Sequence, residues 1–179
     1  MSNENEYAVA AIGEDRPGIV AAVSEALVAA GMGIEDSSMT ILGGQFAMLL
    51  IVRSGATHHD VEAVLAPVAQ AQNLVLQVVP TTAAPDDDEG EHNTAEWVIA
   101  AYGPDRPGLV ASLARVLADA RANVTDFGSR VTGGGTFTMW FNVSIPPGTD
   151  IDSLRDSLAS AGGDVSLDVT LEQVDNSAL

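Results

Sequence analysis

Two six-residue stretches hold the groups best suited to binding a small charged molecule. Gly13-Glu14-Asp15-Arg16-Pro17-Gly18 returns ninety positions later as Gly103-Pro104-Asp105-Arg106-Pro107-Gly108. Each sets a carboxylate beside a guanidinium, just ahead of a proline and glycine that open a helical pattern. Proline is favoured in a helix's first turn, where its missing N–H costs nothing. The next amides have no intrahelical acceptor and carry partial positive charge, so they suit an anion such as a carboxylate. An Arg can hold a carboxylate in bidentate fashion, and an Asp can accept a hydrogen bond from an ammonium. A free amino acid offers both groups. The plainer alternative makes each Asp an N-cap worth ~1 kcal/mol and leaves each Arg solvated. Two of only seven Arg residues fall at this equivalent point, which favours a functional role.

Other reactive sets are poorer. There is no Cys, which excludes disulfides, thiolate chemistry and Cys-based zinc sites. His58-His59-Asp60 brings adjacent residues that share no helix face, and Asp60 reads better as part of a helix start. His92 stands alone. No Ser, His and Asp arrangement points to nucleophilic catalysis. We therefore expect no catalytic residues, no metal and no cofactor.

The 179 residues carry a formal charge of −18, with no Lys. Nucleic-acid binding relies on cations displacing counterions, so direct DNA or RNA contact is not expected, and neither is docking on an anionic membrane. Met1 to Tyr7 lacks the pattern of a signal peptide. The densest apolar run, Phe46 to Val52, is too short to span a bilayer. The expectation is a cytoplasmic protein.

The elements that must position the doubled phrase follow from periodicity. In the first copy, Tyr7 to Ile12 reads as a strand and Pro17 to Ala30 as a helix, with Ile19, Val20, Val23 and Leu27 at helical spacing. Strands follow over Ile34 to Ile41 and Phe46 to Val52 around Gly43-Gly44, then a helix over Asp60 to Ala71 and a strand over Leu74 to Val79. The second copy repeats the order: strand Trp97 to Tyr102, helix Pro107 to Ala120, strands Val124 to Thr132 and Thr136 to Ile145, helix Ile151 to Ala161, strand Val165 to Leu171. One extra residue enters near Thr136, so Phe46 matches Phe137; inside a strand it would flip every later side chain. The expected domains are 1–80 and 95–179. Residues 81–94, with Asp86-Asp87-Asp88-Glu89 and no large apolar residue, read as an acidic solvated linker.

The last strand alternates, with Val165, Leu167, Val169 and Leu171 on one side, as for a sheet with one wet face. Phe46 to Val52 differs, because its second face carries Ala47, Leu49 and Ile51 where the second copy has Thr138, Trp140 and Asn142. Two readings stand: local core variation, or an outer sheet face covered by another domain or chain.

The phrase Asp-Arg-Pro-Gly-Ile/Leu-Val after a short strand, then a helix, then Asn123-Val124 opening a strand, closely resembles the ACT domain. The resemblance covers both copies. It implies an α+β protein of two tandem ferredoxin-like βαββαβ domains, each a four-stranded antiparallel sheet with two helices on one face. It also implies a regulatory module that binds amino acids at a domain–domain interface. A tandem pair with no attached enzyme is similar to the glycine cleavage system transcriptional repressor group. Such proteins act through a partner regulator, which accords with the acidic balance, and homodimerisation would protect the edge strands.

By resemblance the ligand contacts fall on Asp15, Arg16, Pro17, Gly18 and Ile19, on Asp105, Arg106, Pro107, Gly108 and Leu109, and on Asn123 and Val124. Gly33 stands where the second copy has Asn123, so the two sites need not be equivalent. Two rivals follow: a ligand-independent interaction module, and a small enzyme. Formyltetrahydrofolate hydrolase shares a similar phrase but needs a separate catalytic domain. Acylphosphatase uses an Arg and an Asn, types supplied by Arg106 and Asn123, without the phosphate-loop context.

Overall fold

The computed structural model describes residues 5–81 and 95–174, which fall in two compact units. The acidic stretch, His92, and both chain ends lie outside the described residues. Unit 1 runs β1 (Asn5–Glu14), α1 (Ile19–Ala29), β2 (Gly33–Leu42), β3 (Gln45–Ser54), α2 (His58–Gln72) and β4 (Val75–Thr81). Unit 2 repeats it with β5 (Ala95–Pro104), α3 (Leu109–Asp119), β6 (Asn123–Thr132), β7 (Thr136–Ile145), α4 (Ile151–Asp164) and β8 (Asp168–Gln173). Each unit is a ferredoxin-like α+β layer pair: an antiparallel sheet in the order β2-β3-β1-β4, or β6-β7-β5-β8, backed by its two helices.

Alternation on the central strands builds each core. Tyr7, Val9 and Ala11 of β1 and Phe46, Met48, Leu50 and Val52 of β3 are buried against Ile19, Val23 and Leu27 of α1 and Val61 and Leu65 of α2. The spacing of four along α1 places its three core residues on one stripe. Val20, counted with them at the sequence level, lies off that stripe and is 44% exposed. In unit 2, Leu109, Leu113 and Leu117 take the same stripe on α3. Truncating any one to Ala would cost about 2–5 kcal/mol.

The extra residue does sit in the turn. Two glycines join β2 to β3 and three join β6 to β7, so Phe46 and Phe137 keep the same place beside Ile41 and Val131. Both hairpins also bulge at one equivalent position, Ile34/Asp36 and Val124/Asp126.

Three local expectations change. The first helix of each copy begins at Ile19 and Leu109, because Pro17-Gly18 and Pro107-Gly108 form a turn ahead of it. The last strand begins at Asp168: α4 runs on through Gly162 and Gly163 until Val165 caps it and Ser166 turns at φ 62. Leu167 still reaches the core from that turn. Pro80 and Thr81 continue β4, an edge strand, where a missing N–H is tolerated.

At α2, Thr57 and Asp60 make a reciprocal capping box. Asp60 Oδ2 accepts from the Thr57 hydroxyl at 2.6 Å and from its amide at 2.9 Å, while the Asp60 amide donates to Thr57 Oγ1 at 3.3 Å. The hydrogen bond from the Thr57 side chain, then that from its backbone, lowers the Asp60 pKa. A carboxyl acidified by folding adds stability above its unfolded value and loses it as pH falls through the lowered one. The thermal stability gap between wild type and Asp60→Asn should therefore close as pH falls from neutral to about 3. A gap constant across that range would refute the assignment.

Candidate functional site

Each doubled phrase closes the end of a central strand and opens a helix. β1 ends at Glu14, Asp15 and Arg16 span the gap, and Gly18 at φ 95 turns the chain into α1. Gly108 repeats this at φ 92 before α3. That left-handed conformation favours glycine, and it points the first turn's amides away from the chain's own carbonyls. The amides of Ala22 and Ser112 bond back to Gly18 and Gly108, at 2.9 and 3.0 Å. The three before each, on Ile19, Val20 and Ala21 and on Leu109, Val110 and Ala111, precede the first intrahelical bond.

Neither Asp is an N-cap. The capping positions are Gly18 and Gly108, and neither helix start has a side-chain cap. Asp15 and Asp105 instead anchor the loop through their own amides, which donate to Gly44 O at 3.0 Å and Gly135 O at 2.9 Å. The carboxylates are left without a hydrogen-bond partner among the described residues. The hairpin turn glycines, which reasoning from sequence treated only as turns, are thus part of the loop's support.

The two arginines differ. Arg16 Nη2 pairs with Glu14 Oε2 at 2.7 Å. Arg106 faces no carboxylate within ion-pair distance among the described residues and donates from Nη1 to Ser166 Oγ at 3.3 Å. The cause is one position: Glu14 of the first copy is answered by Pro104 in the second. An exposed ion pair such as Glu14–Arg16 is worth ~0–1 kcal/mol, and a ligand carboxylate approaching Arg16 would meet the charge of Glu14 beside it. Glu14 lies inside the repeated phrase, so the contrast was visible in sequence. Ser166, sixty positions beyond Arg106, carried no such signal.

Asn123 and Val124 do not join this loop within their unit. They open β6 opposite Ser144 and Val143, while Asp105 is bonded to Gly135 at the far end of the same hairpin. Nine residue steps at ~3.3 Å separate the ends by roughly 30 Å. Arg106 and Asn123 therefore do not form an acylphosphatase-like pair within the unit. Gly33 opens β2 at the matching place, opposite Arg53.

His58 Nε2 lies 2.8 Å from Val78 O, and both His58 and His59 approach Glu62 at 3.7 Å. Among the described residues no cluster of His, Asp or Glu is placed to hold a metal ion, and no helix is long and apolar enough to cross a membrane.

Among the described residues, the loop in unit 2 thus presents a guanidinium with no acidic partner, the opening amides of a helix and an unpaired carboxylate, a set that matches a carboxylate and an ammonium on one small molecule. Comparison with known proteins bears on the family and the fold. The ACT domain profile matches residues 8–79 and 96–172. A UPF0237 protein of Methanopyrus kandleri is 50% identical over 79 residues, covering 44% of this chain and 87% of that protein. The glycine cleavage system transcriptional repressor of Escherichia coli is 30% identical over 87 residues, covering 48% of this chain and 45% of the repressor. A crystal structure of an unknown protein from Galdieria sulphuraria superposes with a TM-score of 0.79 at 24% identity, covering 97% of this chain and all of that one. A second, of a protein named provisionally as a glycine cleavage system transcriptional repressor, gives 0.72 at 18% identity over 98% of this chain and all of the other.

Proposed function

The chain belongs to the ACT domain family in both of its units, and from that premise we propose that it is a non-enzymatic regulatory protein that senses an amino acid and passes that state to a protein partner. The observation that carries the reading is the contrast between the two loops. Among the described residues no carboxylate pairs with Arg106, whereas Glu14 pairs with Arg16. One carboxylate ligand per chain is then favoured, held by Arg106 and the amides of Leu109, Val110 and Ala111, with Asp105 accepting from its ammonium. Pro107 and Gly108 shape this loop and touch the ligand only through backbone. Asp15, Arg16, Pro17, Gly18 and Ile19 form the weaker counterpart.

The relation to the Escherichia coli repressor, which spans less than half of either chain, supports a partner that is a transcription regulator. The acidic surface supports a route through protein rather than through nucleic acid. The reading includes self-association of the chain and a cytoplasmic location. Ligand binding shifts the protein toward whichever conformation it binds better, and that differential affinity is what a partner can read.

A thermal-shift screen of the full chain against the twenty amino acids tests the sensing step. A ligand that binds only the folded state must raise its stability, by ~2.7 kcal/mol at a hundred times its Kd. At least one amino acid is expected to raise the melting temperature at millimolar concentration. No shift with any of them would leave the interaction-module reading in its place.

A further inference from the structure

The outward sheet face of unit 1 is uncharged and mostly apolar at its centre. Ala10 and Ile12 of β1, Leu49 and Ile51 of β3, and Val75 and Val79 of β4 point away from the helices, and the polar Ser38 and Thr40 of β2 and Gln77 of β4 share that face. Ile12 and Leu49 are about half exposed and Val75 three-quarters. Charges lie towards the ends: Glu6, Glu35 and Asp36 with Arg53 at one, Glu14 at the other. Unit 2 shows that the fold does not require this. At the places of Val75 and Val79 it carries Asp168 and Glu172, and at the place of Thr40 it carries Arg130.

We propose that this face is where two copies of the chain meet, sheet against sheet, about a two-fold axis. The inference rests on the self-association included in the functional reading and names its surface. Charge selects the occupant. A chain of net charge −18 repels its own copy wherever both present carboxylates, and the uncharged centre of this face avoids that. Unit 2's face differs on its edge strand, where Asp168 and Glu172 replace Val75 and Val79 and would set like charges together across such a contact.

Relief points to the same occupant. Ala10, Ala47 and Ser38 floor a recess of about 340 Å³ edged by Ile12 and Leu49. A two-fold axis lets Leu49 of each copy enter the small-residue floor of the other, as inner faces interdigitate at a spacing of ~10 Å. Four strands at ~4.8 Å by seven residues at ~3.3 Å give a footprint of roughly 450 Å² per copy, or about 900 Å² in all. That is the low end for a specific interface, so the dimer is weak and concentration-dependent.

Sedimentation of the full chain over a range from about 1 μM to 1 mM, spanning the weak regime, tests this. Wild type should pass from monomer to dimer, and Leu49→Glu, a half-exposed site that leaves the core intact, should shift that midpoint at least tenfold upward. Because the chain has no Cys, Ala10→Cys should be joined to its copy by a short bismaleimide, while Ala100→Cys on the face of unit 2 should not. A dimer that Leu49→Glu leaves unchanged, or one that Ala100→Cys traps and Ala10→Cys does not, overturns the surface while sparing self-association. A wild-type monomer at every concentration overturns both, and the amino-acid screen stands apart from either result.

Discussion

Arg106→Ala should weaken binding of the amino acid found by the screen by roughly 10- to 100-fold, while Arg16→Ala changes it by less than about twofold. A hydrogen bond to a charged group contributes about 1.5–3 kcal/mol, and each 1.4 kcal/mol is tenfold in affinity. Arg106 supplies that contact because its only partner among the described residues is the neutral Ser166 hydroxyl at 3.3 Å. Arg16 does not, because Glu14 holds it at 2.7 Å. Titration calorimetry on both variants reads the difference. Equal losses would mean that the Glu14 pair does not discriminate the loops, and no loss from Arg106→Ala would remove that guanidinium from the site. Glu14→Ala gives the complementary arm: freeing Arg16 should strengthen the weaker loop and raise the stoichiometry towards two.

Gly103→Ala is expected to cost about 3 kcal/mol of stability, the upper range for overpacking. A Cβ on Gly103 would run into the carbonyl oxygen of Ser166 and lie 2.9 Å from Leu167 Cδ2. The first is backbone, held where the chain turns at Ser166 between α4 and β8, so it cannot swing aside. Gly13→Ala should cost about half as much. Its Cβ would meet Leu74 Cδ2 at 2.7 Å and Asn73 O at 3.0 Å, and the first of these is the far end of a side chain that can rotate. For a domain of this size each kcal/mol shifts the melting temperature by about 4–8 °C, so thermal denaturation should separate the two variants clearly. A Gly103→Ala protein that melts with wild type, or one more stable than Gly13→Ala, would show that the close approach is not a constraint. The first glycine of the repeated phrase is thus a packing device. It lets β5 run close beside the turn that also carries Ser166, the partner of Arg106.

Much of the fold was legible because its causes are local. Alternation in Phe46 to Val52 and the spacing of four from Ile19 to Leu27 are each set within a dozen residues. The extra glycine of the second hairpin could be placed in the turn because anywhere else it would invert a strand. Helix starts were less legible. Pro17 suited a first helical position, but Gly18 adopts a left-handed conformation that delays the helix to Ile19 and leaves Asp15 unable to cap it. That choice depends on the loop being tied through the Asp15 amide to Gly44, a residue on another hairpin.

The sequence by itself determined that the chain holds two copies of one unit, and that each copy brings an Asp, an Arg and a helix start to one loop. These are matters of identity and short-range periodicity. Tertiary structure alone decided which groups at that loop are free. It placed Asn123 at the far end of β6 from Arg106, although the two are only seventeen positions apart in the chain. It brought Ser166 to Arg106 from sixty positions away and turned the apolar centre of unit 1's sheet outward. The physical reason is the same in each case. Strand pairing and helix packing set distances between residues far apart in sequence, and the residue types alone do not encode which end of a strand a side chain will occupy.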